Sequence, residues 1–83
     1  MEANDSKIKK LIRLYKYCDF YTLVLESGLL KITVNPEMGI HYLLLESIKD
    51  ITFYESTDSV NFDFHNGSSM YMNGNKPFVS VSI

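Results

Sequence analysis

The 83-residue sequence is short of several things, and each shortage removes a class of function. It has one cysteine, Cys18, so no disulfide can form within the chain and no cysteine-rich metal site can be built. A secreted domain this small usually carries such staples, so their absence points to a reducing, cytoplasmic setting. The longest uninterrupted apolar run, residues 42–45, is far too short to cross a bilayer, and the polar, acidic residues 1–6 do not read as a signal peptide. Glycine occurs four times, at Gly28, Gly39, Gly67 and Gly74, each isolated. A phosphate-cradling loop needs glycines clustered between a strand and a helix, so that nucleotide chemistry is excluded.

What is present suits a small core. Hydrophobic residues make up 46% of the chain, with six Tyr and five Phe, while charged residues stay at 22%. Aromatics bury a large area per residue, which matters in a domain that hides only about 60% of its unfolded surface. The length allows one domain, spanning 1–83.

Charge is unevenly placed within a net of −2. Residues 1–16 carry five basic and two acidic groups, and residues 17–83 carry three basic and eight acidic ones. Over 5–18, Ile8, Leu11, Ile12, Tyr15 and Cys18 recur at helical spacing, and Asp5 or Ser6 can cap the start. Lys9, Lys10, Arg13 and Lys16 fall on the opposite side of the wheel, giving one apolar and one basic stripe.

Past Asp19 the period changes from 3.6 to 2, and 20–83 reads as β structure. Strands are predicted over 20–26, 30–35, 40–45 and 52–55, with Ser27-Gly28 and residues 35–39 as turns. The spacing of Leu45, Ile48 and Ile51 suggests a helical turn or bend between them. Val60, Phe62 and Phe64 alternate with polar residues, and Asn66-Gly67 then predicts a type I′ hairpin. Residues 68–72 return, 73–75 turn again, and 77–83 makes a last strand, so the chain ends in a three-stranded meander. The fold expected is α+β: one amphipathic helix on a curled antiparallel sheet or small barrel of five to six strands.

Catalytic chemistry finds little to work with. Nucleophilic catalysis would need Cys18 beside His41 or His65, but Cys18 lies on the apolar stripe, where a thiol behaves as a small hydrophobe. His65 and Asp63 share a strand face, yet two histidines without paired spacing do not make a metal site. The reading is of a non-enzyme with no cofactor, no metal and no small-molecule substrate.

Two surfaces invite partners. Residues 64–83 hold one formal charge, Lys76, so the last strand is an edge without the usual charged guard. Met70, Tyr71, Met72, Phe78, Ser80 and Ser82 are the residues expected to bind a protein partner or a second copy. The alternative is a nucleic-acid-binding oligomer that uses Lys9, Lys10, Arg13 and Lys16 along a phosphate backbone. The order of elements, a helix and then a run of strands, is similar to that of Sm-like RNA-binding rings, a likeness of topology alone. A third reading comes from Glu46-Ser47-Ile48, which resembles the Glu-Ser-Ile triplet of phage-encoded inhibitors of uracil-DNA glycosylase. That resemblance implies a DNA-mimicking inhibitor in which Glu46 and Asp50 act. The chain departs from that family in placing the triplet past mid-chain and in its small net charge.

Overall fold

A computed structural model describes residues 2–35 and 38–83, with side chains from Asn4 onward. One helix, α1 (Glu2–Leu14), precedes seven strands in two antiparallel sheets. The first sheet joins β1 (Tyr21–Glu26), β2 (Leu29–Val34) and β3 (Gly39–Leu44) in chain order. A 3-10 turn over Leu45–Ser47 leads to the second, built from β4 (Ile48–Tyr54), β5 (Ser59–Phe64), β6 (Ser69–Asn73) and β7 (Phe78–Ser82). The α+β class holds, but the described residues form seven strands instead of five or six, and the two sheets stay open instead of closing into one barrel.

The helix starts earlier and ends sooner than its sequence pattern suggests. Glu2 and Ala3 are good helix formers, so the coil continues upstream and Asp5 and Ser6 lie inside it instead of capping it. At the other end the Lys16 N–H bonds to the Arg13 carbonyl, and the Cys18 N–H to that of Tyr15. These i→i−3 bonds tighten the chain out of the α-helix. Ile8, Leu11 and Tyr15 are buried, while Cys18 packs half-buried at the margin of the core.

The helix runs alongside β4 in a ladder of side-chain contacts. Asn4 Nδ2 donates to the Ile48 carbonyl at 3.0 Å, Lys7 pairs with Asp50, and Lys10 lies 4.5 Å from the centre of the Phe53 ring. Tyr15 then donates its hydroxyl to the Asp58 carbonyl at 2.9 Å, in the turn after β4. Residues three apart on a helix lie on one face, so Asn4, Lys7 and Lys10 present one row of side chains to the strand.

The segment around Ile48 shows why a strand reads there as a bend. The register shifts between Ile48 and Asp50, so one extra residue is accommodated and Ile48 and Ile51, three apart, both face inward.

The turns divide differently from expectation. Ser27 and Gly28 both have positive φ, 50° and 77°, and join Glu26 to Leu29 as a two-residue type I′ hairpin. At Asn66-Gly67 only Gly67 has positive φ, at 90°. The Gly67 N–H bonds to the Phe64 carbonyl and the Phe64 N–H to that of Ser68, which is a longer loop with a glycine bulge and not a type I′ turn. Asn66 serves there through its side chain, whose Oδ1 accepts from the Ser68 N–H at 2.9 Å. The Pro36-Glu37 centre of the turn expected at 35–39 lies outside the described residues.

The core fills the space between the sheets and α1. Leu30, Ile32 and Val34 of β2 meet Val60, Phe62, Met70 and Met72 of the second sheet, together with Leu11 from α1.

Candidate protein-docking face

Strand pairing sorts the side chains of each sheet into two faces, because directly opposed residues point the same way. In the second sheet the inner face carries Val60, Phe62, Met70, Met72 and Val79. Its outer face carries Asp50, Thr52, Asn61, Asp63, Ser69, Asn73, Ser80 and Ser82 together with three aromatics, Tyr54, Tyr71 and Phe78, the last two in edge contact at a ring separation of 6.4 Å. This is the usual alternation, apolar inside and polar outside.

The first sheet breaks that rule. Its inner residues Leu30, Ile32 and Val34 are buried as expected, yet its outer face is also largely apolar. Three cross-strand rows build it: Thr22, Thr33 and Ile40; Val24, Lys31 and Tyr42; Glu26, Leu29 and Leu44. Val24, Ile40, Tyr42 and Leu44 are between 42% and 60% exposed. Lys31 sits half-buried in the central row and has no carboxylate within 4.0 Å among the described residues. Five apolar side chains around a central cation, with Thr22, Thr33 and Glu26 at the margins, make an unusual sheet face for a small domain.

The residues expected from sequence to bind a partner do not stay together. Met70 and Met72 are 2% and 0% exposed, so they belong to the core and offer nothing to a partner. Their alternation with Ser69, Tyr71 and Asn73 turns them inward against Phe62 and Val60. Tyr71, Phe78, Ser80 and Ser82 share the outer face of the second sheet. Tyr71 is tied down there, donating its hydroxyl to Ser59 Oγ at 2.8 Å.

The four basic residues are all exposed, but they do not form one stripe. Lys16 lies beyond the end of α1, stacked 5.5 Å from the Tyr17 ring centre. Lys10 leans back toward the sheet, over Phe53 and 3.9 Å from Glu55. Lys9 and Arg13 have no acidic partner within 4.0 Å among the described residues. Of the Glu-Ser-Ile segment, Glu46 is exposed, Ser47 donates its hydroxyl to the Leu44 carbonyl at 2.7 Å, and Ile48 is buried. Asp50, exposed, is held below the usual carboxylate range chiefly by its hydrogen bond with Lys7, and also by the Ile51 N–H.

A cavity of about 280 Å³ lies where α1 ends against the turn after β4, walled by Leu14, Tyr15, Cys18 and Phe53 with Lys10 and Glu55 at its rim. It falls just below the size of ordinary small-molecule pockets. Among the described residues, no group of three or more His, Cys, Asp or Glu side chains stands close enough to hold a metal ion, and no helix is long and apolar enough to cross a membrane.

This apolar face was missed in sequence because residues 40–45 form an unbroken apolar run apart from His41, in which neither face is marked by polar residues. Only the pairing of Leu43 with Leu30, and of Leu44 with Leu29, decides which side is buried. No family model matches the chain, and no curated protein or solved structure matches it.

Proposed function

We propose that this chain is a non-catalytic interaction protein that docks a protein partner on the outer face of its three-stranded sheet. The partner has an apolar surface and places a carboxylate opposite Lys31. The observation that carries this reading is the contrast between the two sheets, one with a mainly polar outer face and one whose outer face carries Val24, Leu29, Ile40, Tyr42 and Leu44, all but the half-buried Leu29 exposed.

Full burial of an aliphatic side chain contributes about 1.5–3 kcal/mol, so covering several of these residues yields a substantial driving force for association. Lys31 supplies direction. A half-buried cation among apolar neighbours is costly to desolvate unless the incoming surface pairs it, so it selects partners bearing an acid there.

The test is co-purification from the native cells with identification of the bound protein, comparing wild type with Tyr42→Ser, Leu44→Ser and Lys31→Glu. A genuine docking partner is lost from all three and is regained by Lys31→Glu when the facing carboxylate of the partner is changed to Lys. Retention of every bound protein by all three variants overturns the reading.

A further inference from the structure

Four side chains on the β1–β2 half of the apolar face make it complementary to itself. Val24 and Glu26 of β1 lie directly opposite Lys31 and Leu29 of β2, and residues two apart on a strand point the same way. The four therefore stand at the corners of a rectangle, with Lys31 and Glu26 on one diagonal and Val24 and Leu29 on the other. In the three cross-strand rows of this face, Lys31 and Glu26 are the two residues that carry charge. Lys31 is half-buried and Glu26 exposed, and among the described residues neither has a side chain of opposite charge within 4.0 Å.

From this arrangement we infer that the partner on the face is a second copy of this chain, an identification that rests on docking at this sheet. When two copies pack with the same face toward each other, their two-fold axis lies in the plane between them. Each residue then meets whatever lies at the same distance on the other side of that axis. An axis close to the Val24–Leu29 diagonal sets Lys31 of each copy opposite Glu26 of the other, so one contact forms two ion pairs. Val24 and Leu29, beside the axis, meet their own symmetry mates and help to shield both pairs from water.

Charge complementarity chooses the occupant. A face bearing two like charges would repel its own copy, whereas one cation and one anion placed on a diagonal match their own image across a two-fold. The carboxylate that Lys31 requires opposite it is thus supplied by the chain itself. Three strands of six residues offer less area than the roughly 800 Å² that each side of a standard interface buries, so the dimer is weak and concentration-dependent.

The experiment is light scattering behind a sizing column at concentrations up to about 1 mM, where a weak association becomes visible. The wild-type mass is expected to rise toward twice that of the monomer. Lys31→Glu leaves two acids on the face and Glu26→Lys two bases, so each variant alone should self-associate about ten-fold more weakly, with wild-type circular dichroism. Mixed in equal amounts, the two variants should dimerise again, because each acid of one then meets a base of the other. The double variant, with the charges exchanged, should match the wild type. A misfolded variant would not be rescued in either way. A dimer that persists in both single variants, a mixture that stays monomeric, or a wild type monomeric throughout overturns the second copy as partner. In that last case, loss of a co-purifying protein through Tyr42→Ser, Leu44→Ser and Lys31→Glu leaves docking at this face standing with a different partner. Retention of every bound protein overturns both.

Discussion

Tyr21, the first residue of the first strand, holds Phe78, the first residue of the last. The Phe78 N–H donates to the Tyr21 hydroxyl, whose own proton faces the carbonyls of Asn73, Lys76 and Phe78. One hydroxyl thereby ties the two sheets together at the turn before β7, and its ring packs edge-on against Tyr15 with centroids 5.5 Å apart. Tyr21→Phe keeps that packing and deletes the hydroxyl. Leaving the partly buried backbone groups around it without their partner should cost about 1–3 kcal/mol, read as a lower urea midpoint at unchanged slope.

The same two tyrosines make stability fall at high pH. Burial, first among the causes, pushes the phenols of both Tyr15 and Tyr21 above the ordinary tyrosine range. The folded state therefore keeps protons that the unfolded chain gives up. Their contribution is complete below the unfolded value of about 10 and is lost as pH rises past it. The melting temperature should drop through that window, and Tyr15→Phe should flatten part of the drop. A thermal scan series in alkaline buffers checks this.

Gly74 has no room for a side chain. A Cβ there would lie 1.8 Å from the Asp58 carbonyl oxygen, a backbone atom that cannot swing aside. The loops before β5 and β7 meet at this point, where Asn75 Nδ2 donates to the Thr57 carbonyl at 2.8 Å. Gly74→Ala should destabilise the fold by about 3 kcal/mol, at the upper end of ordinary overpacking, with the loss measured by chemical denaturation.

Ser27 has the opposite problem, a side chain in a conformation that suits few residues. Its φ of 50° is required by the type I′ turn, and such left-handed geometry costs a non-glycine residue roughly 1–2 kcal/mol. Asparagine tolerates it better, so Ser27→Asn should raise stability by about 0.5 kcal/mol or more, with a higher urea midpoint as the readout.

Much of the architecture was legible in the chain. The shift from helical to alternating period at Asp19, and the alternation around Val60, Phe62 and Phe64, mark the helix and the meander. The same alternation carries the burial of Met70 and Met72, because they alternate with Ser69, Tyr71 and Asn73. Other features were hidden for physical reasons. The bulge between Ile48 and Asp50 disguises β4 as a helical turn, since an inserted residue converts a spacing of two into three. Asn66-Gly67 and Ser27-Gly28 differ in the direction least expected from composition, because loop length, set by strand register, selects the turn type.

The sequence by itself determined the kinds of element and their order, through local properties: residue spacing, turn formers and the inward alternation of apolar side chains. Which apolar residues would remain in water was decided by tertiary structure alone. Pairing of β3 with β2 turns Leu43 inward and Tyr42 and Leu44 outward, and a slip of one residue would exchange them. Register is a relation between strands distant in the chain, fixed by how the sheets close over one core, and no local pattern within residues 40–45 encodes it.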